Sequence, residues 1–216
     1  MTEAASLERE RALWIEGYRY VAGLDEAGRG AWAGPVVAAA VILPPDPAAC
    51  APLLGCVRDS KQLSPPQRES LLTEIRSVAL SVGVGIVPAS IIDELGIVSA
   101  TRLAMSQAVE ALSPAPDHLL IDALALPQLD IPQQALIHGD ASSLSIAAAS
   151  IVAKVTRDRI LVALDARYPG YGFARHKGYG TAAHREALYR LGPCVEHRRS
   201  FRPVQEAQAM LERQAR

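Results

Sequence analysis

Four carboxylates of this 216-residue chain stand where they could do chemistry together: Asp25, Glu26, Asp122 and Asp140. Each lies at or just beyond the carboxyl end of a predicted strand, and strand ends are where open α/β sheets place their sites. Adjacent strands are ~4.8 Å apart, so acids on such ends can converge on one cleft. Converging carboxylates repel one another, and Mg²⁺ or Mn²⁺ would relieve the repulsion. The pattern therefore predicts a two-ion site suited to hydrolysis of a phosphodiester.

Other uses of these acids are open at this point. A single Asp after a strand could close a turn or cap a helix, and two carboxylates could serve a glycosidase. The Gly-rich segment AGRGAWAG beside the first pair, together with basic residues later in the chain, favours the phosphodiester interpretation. A module that binds nucleic acid without cutting it is disfavoured, because carboxylates that face phosphates would only weaken binding.

The hydrophobic pattern predicts the elements that must position these acids. The continuous apolar run at 35–43, stopped by prolines, is typical of a buried strand, and the Gly-rich turn before it makes 18–24 its partner. Ser64 followed by two prolines is a helix start. The predicted strands cover 18–24, 35–43, 82–87, 118–121 and 135–138. The predicted helices cover 64–79, 90–95, 99–112, 145–167, 181–191 and 204–216.

This order of elements predicts an α/β fold with a mixed central sheet flanked by helices. We expect a catalytic domain over 18–192, an N-terminal extension over 1–17 and a C-terminal helical segment over 193–216. Half of the residues are hydrophobic, which excludes a disordered chain, and three scattered cysteines make neither a disulfide framework nor a zinc site. The sequence shows neither a signal peptide nor a membrane-length apolar run, so we expect a monomer in the cytoplasm, away from membranes.

Six sequence blocks, taken in order, resemble bacterial ribonuclease HII, the type 2 ribonuclease H family. They are VAGLDEAGRGAWAGPVVAAAVIL (21–43), RDSKQLSPPQRESL (58–71), HLLIDAL (118–124), HGDASSLSIAAASIVAKVTRDRI (138–160), YPGYGFARHKGYGTAAHREAL (168–188) and LGPCVEHRRSFRPV (191–204). The resemblance implies a ribonuclease H-like fold with a C-terminal helical extension. It implies an endonuclease that cleaves the RNA strand of RNA–DNA hybrids and incises 5′ of ribonucleotides embedded in duplex DNA. Such an enzyme leaves 3′-hydroxyl and 5′-phosphate ends and takes part in ribonucleotide removal and RNA primer processing.

The resemblance also implies roles for the four acids. Asp25, Glu26, Asp122 and Asp140 match the carboxylates that hold two Mg²⁺ or Mn²⁺ ions in the catalytic complex. In our hypothesis, one ion is held among Asp25, Asp140 and either a backbone oxygen or the carboxylate of Glu26, and it activates the attacking water. The second lies near Asp25, Glu26 and Asp122 and stabilises the leaving 3′ oxygen.

The substrate-binding residues are likewise implied by the resemblance. Gly28, Arg29 and Gly30 match a loop that contacts the ribonucleotide, where glycine lets backbone N–H groups approach and bond a phosphate or the 2′-hydroxyl. Tyr179 matches a tyrosine beside the sugar that follows the ribonucleotide, where its ring would exclude an extra hydroxyl. The further candidates are Lys61 and Arg29 as phosphate ligands, Ser60 as an added hydroxyl donor, His176 and Lys177 as residues facing the nucleic acid, and Arg198 and Arg199 as weaker ones of the same kind.

Three details of the matched blocks leave questions open. Asp158 is kept apart from the catalytic acids, because flanking Arg157 and Arg159 are typical of a solvated ion-pairing face. His138 stands where we expect a lysine, and it would either titrate near neutrality or be a core histidine. Ribonuclease HIII and resolvase-type nucleases are alternatives, but ribonuclease HIII usually carries an N-terminal domain for which the 17 residues before Tyr18 leave no room.

Charge is segregated along the chain although the formal net charge is −1. Residues 154–202 contain eleven Lys and Arg against four Asp and Glu, whereas residues 89–140 contain one Arg against seven acids. We interpret the basic stretch as a phosphate-binding surface and the acidic stretch as charge that bound metal would offset. A near-neutral total is therefore compatible with a nucleic-acid substrate.

Overall fold

The computed structural model of the chain describes residues 5–57 and 60–214. Within these ranges one mixed sheet has the strand order β3-β2-β1-β4-β5. Its strands are β1 Val21–Ala27, β2 Val36–Ile42, β3 Ser81–Val87, β4 His118–Asp122 and β5 Gln133–Leu136. The strands β1, β2 and β3 pair antiparallel, whereas β4 runs parallel to both β1 and β5. The predicted α/β class with a mixed sheet is confirmed.

Helices cover both faces of this sheet. The helices are α1 Glu8–Ile15, α2 Pro65–Val78, α3 Ala89–Leu95, α4 Ile97–Glu110, α5 Gly139–Ser142, α6 Leu144–Arg167, α7 Phe173–His176, α8 Ala182–Leu191 and α9 Arg202–Gln214. Long α6 packs across β1 and β2 together with α2, and α4 packs on the opposite face. Strand β2 is buried along its whole length, which explains why it is an unbroken apolar run rather than an alternating one. None of the helices in the described ranges is both long and apolar enough to cross a membrane.

The first strand lies three residues later than predicted. The expected strand 18–24 would have left Asp25 just past its end, but β1 continues to Ala27. The reason is the antiparallel ladder, since β2 extends past this point and pairs Asp25 with Ala39 and Glu26 with Ala38. Asp122, by contrast, is the last residue of β4. The expectation that each acid lies at or just beyond a strand end is therefore wrong for Asp25 and Glu26, which lie inside β1.

The N-terminal helix α1 was not among the predicted elements. Its sequence carries no apolar stripe, because one of its inward positions is Glu10, which is fully buried. The Oε1 atom of Glu10 accepts hydrogen bonds from the Ser143 hydroxyl (2.6 Å) and from the Ser145 amide (2.9 Å) and hydroxyl (2.6 Å). A carboxylate at the first turn of α6 complements the helix dipole. Glu10 thus joins α1 to the start of the central helix.

The C-terminal segment is helical, as predicted, and it packs on the rest of the chain. Val204 and Ala207 of α9 are buried against Leu188 of α8. Earlier in the segment, His197 forms an isolated bridge with Ala33, next to the Gly-rich loop that follows β1. The division of the chain at residues 18 and 193 stays a prediction.

Candidate active site

The strand register brings two of the predicted acids side by side. Leu24 of β1 is paired with Ile121 of parallel β4, so the next residues along, Asp25 and Asp122, lie on neighbouring strands. Asp122 accepts a hydrogen bond at Oδ1 from the Gly139 amide (2.8 Å). This bond ties the first turn of α5 to the carboxyl end of β4. Asp140 directly follows Gly139 and is buried, although it does not line the cleft described below.

Burial and mutual repulsion disfavour the charged forms of two acids. Burial raises the pKa of Asp25 well above its ordinary value, and the neighbouring Glu26 and Asp122 carboxylates raise it further. A hydrogen bond from the Glu26 amide to Asp25 Oδ1 (2.6 Å) and one from Ser150 oppose this shift. Burial also raises the pKa of Glu26, although Arg29 partly offsets it through an Nη1–Oε1 contact of 3.3 Å.

These acids fit hard divalent cations. In residues 5–57 and 60–214, no three His, Cys, Asp or Glu side chains already form a compact ligand set. Yet Glu26 Oε2 is buried without a hydrogen-bond partner in the described part of the chain, and Asp25 is a buried acid beside two others. Oxygen ligands of this kind suit Mg²⁺ or Mn²⁺, and a bound cation would satisfy the orphaned oxygen and offset the repulsion.

The acids open into a cleft of about 480 Å³. Three of the four predicted carboxylates and six of the eight predicted substrate residues line it. These are Asp25, Glu26, Asp122, Gly28, Arg29, Gly30, Ser60, Lys61 and Tyr179. The remaining two substrate candidates, His176 and Lys177, line an adjacent groove of about 640 Å³ that shares Arg68, Lys154 and Tyr179 with the cleft.

The two glycines of the loop serve different purposes. Gly28 has φ +95°, and a Cβ atom there would lie 2.0 Å from Nε of Arg157, so the fold itself demands glycine. Gly30 is exposed and has no positive φ, and a Cβ atom there would meet nothing within 4 Å in the described residues. Because Gly30 also lines the cleft, its backbone is open to a substrate there.

Two arginines of the basic stretch point inward. Arg157 is fully buried and donates to the carbonyls of Pro35 (2.9 Å), Lys177 (2.9 Å) and Ala33 (3.0 Å). The expectation that it lies on a solvated face is wrong, because α6 presents this position to the loop carbonyls. Asp158 does lie in an ion-pairing cluster, bonded to Lys154 (2.7 Å) and Arg68 (3.5 Å).

Arg198 is the second inward arginine. It is fully buried and donates to the carbonyls of Gly34 (3.1 Å) and Arg29 (2.8 Å). Burial and the neighbouring Arg157 lower the pKa of Arg198 to about 9, so it stays charged at neutral pH. Its predicted role as a phosphate ligand is therefore wrong, and adjacent Arg199 is exposed.

His176 also differs from its prediction. The ring is buried, its Nε2 lies 2.8 Å from the Tyr171 carbonyl, and its Nδ1 accepts from the Gly178 amide (3.2 Å). Both ring nitrogens are thus used inside the protein and cannot bind a phosphate. Lys177 is half-buried, and its ammonium donates to the Ala174 carbonyl. His138 is exposed, which rules out the core-histidine alternative.

Three residues of the cleft were missed by reasoning from sequence: Ser150, Lys154 and Arg68. Ser150 bonds the predicted Ser60 hydroxyl to hydroxyl (2.9 Å) and also bonds Asp25, so Ser60 acts on the acid through Ser150. Arg68 donates to the Ser60 carbonyl (2.9 Å). The spacing of 150 and 154 on one helix face was the available signal, since residues four apart stack on the same side.

Comparison with known proteins decides the family. The ribonuclease HII family model matches residues 22–204. Ribonuclease HII of Geobacillus kaustophilus is 60% identical over 197 residues, which cover 91% of this chain and 74% of the relative. The chain belongs to the ribonuclease HII family. Ribonuclease HII of Chloroflexus aurantiacus is 58% identical over 206 residues, covering 95% of this chain and 97% of the relative.

The solved structures agree with this assignment. Ribonuclease H2 of Pyrococcus horikoshii superposes with a TM-score of 0.75 at 28% identity, covering 89% of this chain and 98% of that one. As a member of the ribonuclease HII family, the chain is a ribonuclease H hydrolase that cleaves the RNA strand of RNA–DNA hybrids. Dependence on a divalent metal comes with this family.

Proposed function

We propose that this ribonuclease HII also incises duplex DNA on the 5′ side of a single embedded ribonucleotide, leaving 3′-hydroxyl and 5′-phosphate ends. The observation that carries the proposal is the composition of one cleft, which buried acids, exposed Gly30 and Tyr179 line together. Acids alone would serve any phosphodiesterase. Recognition of a ribonucleotide followed by DNA needs a contact for the 2′-hydroxyl of the ribonucleotide and a side chain that excludes a 2′-hydroxyl on the next sugar. Such an activity serves ribonucleotide removal and RNA primer processing.

In this proposal two divalent cations, Mg²⁺ or Mn²⁺, are held by the four acids. Asp25 and Asp140 would hold one ion, and Asp25, Glu26 and Asp122 the other. When bound, such ions activate a water and stabilise the leaving 3′ oxygen of a phosphodiester. The buried, orphaned Oε2 of Glu26 and the raised pKa of Asp25 support this assignment, because both call for a positive partner.

The chain's own groups would orient the substrate. Backbone N–H groups of residues 28–30 would approach the 2′-hydroxyl, since the absent side chain of Gly30 leaves room for it. Exposed Lys61 and half-buried Arg29 would bind flanking phosphates. Tyr179 would place its ring against the sugar that follows and exclude a ribose there. It lies over the charges of Arg157 (5.3 Å to the guanidinium carbon) and Lys154 (5.7 Å).

We also propose how the chain is organised and where it works. The catalytic domain spans 18–192, and the flanking segments 1–17 and 193–216 support it through Glu10 and Arg198. A single chain supplies the acids, the loop and the tyrosine of the cleft, which supports action as a monomer. The proposed location is the cytoplasm, where its hybrid and duplex substrates are found.

The decisive experiment uses a DNA duplex that contains one ribonucleotide, with labelled ends that map the cut. We expect incision immediately 5′ of the ribonucleotide with Mg²⁺ or Mn²⁺ and no incision in EDTA. A second duplex with an all-DNA strand controls for unspecific nuclease activity, and an all-RNA strand hybrid controls for active enzyme. Cleavage of the hybrid without incision of the single-ribonucleotide duplex would overturn the proposal.

A further inference from the structure

Among the described residues, His176, His184 and His197 form a buried cluster beneath the Tyr179 loop. Their rings are 8%, 0% and 1% exposed, and none of them lines the acidic cleft. The rings of His176 and His184 are stacked with centroids 4.3 Å apart. The proposed function gives this cluster no task, although it lies next to the residue proposed to read the substrate sugar.

The bonding partners fix the protons on two of these rings. Nδ1 of His184 lies 3.0 Å from the Tyr179 carbonyl, which can only accept, so this Nδ1 carries the hydrogen. In a neutral ring Nε2 of His184 is then an acceptor, and His197 Nε2, 3.1 Å away, must donate to it. That leaves His197 Nδ1 as an acceptor, and the Cys194 amide donates to it at 3.0 Å.

The result is one directional chain of hydrogen bonds. It begins at the Cys194 amide, passes through the imidazoles of His197 and His184 and ends at the Tyr179 carbonyl. This series of hydrogen bonds requires both imidazoles to be neutral, because an added proton would occupy a ring nitrogen that already accepts a hydrogen bond. Burial supports this state, as it lowers the pKa of His184 to about 4 and that of His197 to about 3.

The Tyr179 loop packs on the Gly-rich loop, and the hydrogen bond from His184 adds a contact at the Tyr179 carbonyl itself. Gly178 and Gly180 flank the tyrosine and pack closely on the Gly-rich loop, since a Cβ atom would lie 2.4 Å from the Ala33 carbonyl oxygen at Gly178 and 2.1 Å from the Trp32 ring at Gly180. The Gly178 carbonyl accepts a hydrogen bond from the Trp32 amide (2.8 Å). The Tyr179 carbonyl also accepts from the Thr181 amide (2.8 Å), but that bond is local and moves with the loop. The imidazole of His184, held by the C-terminal segment through His197, is the contact that ties the carbonyl to a separate part of the fold.

We infer that His184 and His197 are positioning residues for Tyr179: they couple the C-terminal segment at Cys194 to the loop that reads the sugar after the ribonucleotide. The inference rests on the proposed role of Tyr179. It makes selection of an RNA-to-DNA junction depend on residues that never touch the substrate. Breaking these hydrogen bonds should therefore lower the rate of incision at a single embedded ribonucleotide more than the rate of cleavage of an all-RNA strand.

The test compares two substitutions that each keep half of the His184 bonding. His184→Asn retains a donor where Nδ1 lay, whereas His184→Gln retains a polar group where Nε2 lay and loses the bond to Tyr179. Single-turnover rates are measured on the single-ribonucleotide duplex and on an RNA–DNA hybrid, and the ratio of the two rates is the readout. We expect His184→Gln to lower this ratio roughly tenfold, the value of one hydrogen bond. His184→Asn should stay within about threefold of wild type, as a retained bond requires.

Two further variants make the outcome decisive. Tyr179→Ala shows the loss of selectivity that a missing ring causes, and His118→Asn controls for loss of a buried histidine at the far end of β4. A ratio that falls in His184→Gln and Tyr179→Ala, but not in His118→Asn, supports the inference. If Tyr179→Ala lowers the ratio and His184→Gln does not, the inference fails while the proposed function stands.

An unchanged ratio in Tyr179→Ala would instead refute the proposed role of the tyrosine, and the inference would fall with it. Should His184→Gln not fold, His197→Gln breaks the chain one step further from the cleft, at the Cys194 amide. For that variant we expect a fall of the ratio of about threefold, because the His184 contact is weakened rather than removed. Equal losses on both substrates would mark the histidines as merely structural and overturn the inference.

Discussion

The loop of residues 28–35 and the acids of β1 and β4 face the same cleft, yet the protein holds them in opposite ways. On the loop side, the buried guanidinium groups of Arg157 and Arg198 donate to five backbone carbonyls. On the acid side, burial and like charges raise the pKa of Asp25 and Glu26, and Glu26 Oε2 finds no partner within the described residues. Buried arginines thus supply positive charge on the loop side, whereas on the acid side positive charge has to come from bound cations.

This difference has a functional reading. A loop that discriminates between sugars has to be rigid before the substrate arrives, because induced ordering would cost affinity and selectivity. Acids that repel one another without a cation bind that cation more tightly, because binding relieves the repulsion and the free energy released adds to the affinity for the metal. The comparison predicts that substitutions on the acid side affect activity more than folding, and that those on the loop side affect folding as well.

The largest effect is expected on the acid side. Asp25→Asn should lower cleavage of hybrid at least ~1000-fold, as for loss of a group acting in the transition state. The same change should raise the free energy of unfolding without metal at pH 7.5, because a repelled, buried charge is removed. Urea unfolding is measured with and without Mg²⁺. The variant should be more stable than wild type without Mg²⁺, and it should lose the stabilisation that Mg²⁺ gives to wild type. A less stable variant without metal would contradict the comparison.

On the loop side, Arg198→Ala should lower the free energy of unfolding by about 3 kcal/mol, because the carbonyls of Gly34 and Arg29 lose their buried donor. Neighbouring Arg199→Ala is the matched control, since that side chain is exposed and should cost under ~0.5 kcal/mol. Thermal or urea unfolding at pH 7 measures the difference. Equal effects of the two substitutions would mean that the guanidinium of Arg198 does not hold the loop.

Substitutions of the two loop glycines, Gly28 and Gly30, should have different effects, one on folding and the other on substrate contact. Gly30→Ala should leave the unfolding midpoint unchanged, because its Cβ would meet nothing within 4 Å among the described residues, and lower activity about 10- to 100-fold by filling space beside the substrate. Gly28→Ala should instead destabilise the fold, because its Cβ would collide with Arg157. Activity and melting temperature are measured for both. Normal activity of Gly30→Ala would show that no substrate group occupies that space.

The smallest effect concerns acid pH and the histidine cluster. Burial lowers the pKa of His184 to about 4 and that of His197 to about 3, against an ordinary pKa near 6.5, so the unfolded chain binds more protons than the folded one below pH 6.5. Their presence should therefore cost stability as the pH falls from 6.5 towards 4. Asp25 and Glu26, with raised pKa values, act in the opposite direction over that range.

The comparison of variants isolates the histidines from those acids. The gap in free energy of unfolding between wild type and the single variant His184→Asn should narrow by about 2 kcal/mol between pH 7 and pH 5, because the unfolded chain gains a proton that the buried ring does not take up. Urea unfolding at both pH values measures it, and His138→Asn, at an exposed histidine, serves as the control. A gap that stays constant or widens towards pH 5 would mean that this ring is not held neutral in the fold.

Much of the site could be predicted from the sequence. The run DEAGRG, the acids after apolar strands and the Ser-Pro-Pro helix start are local signals, and the structure places Asp25, Glu26 and Asp122 in one cleft with Gly30, Lys61 and Tyr179. The mixed sheet flanked by helices also followed from the order of apolar runs. These features were predictable because their causes lie within a few residues of the chain.

Other features depend on partners that lie far away in sequence. Register with β2 placed Asp25 inside β1 rather than after it. Arg157 is bonded to carbonyls 122 and 124 residues away, and Arg198 to carbonyls 164 and 169 residues away. The sequence alone therefore determined which groups perform the chemistry. Only the tertiary structure decided which charges face the substrate and which hold the cleft together, because a guanidinium or imidazole is buried only where distant backbone carbonyls converge to accept its hydrogen bonds.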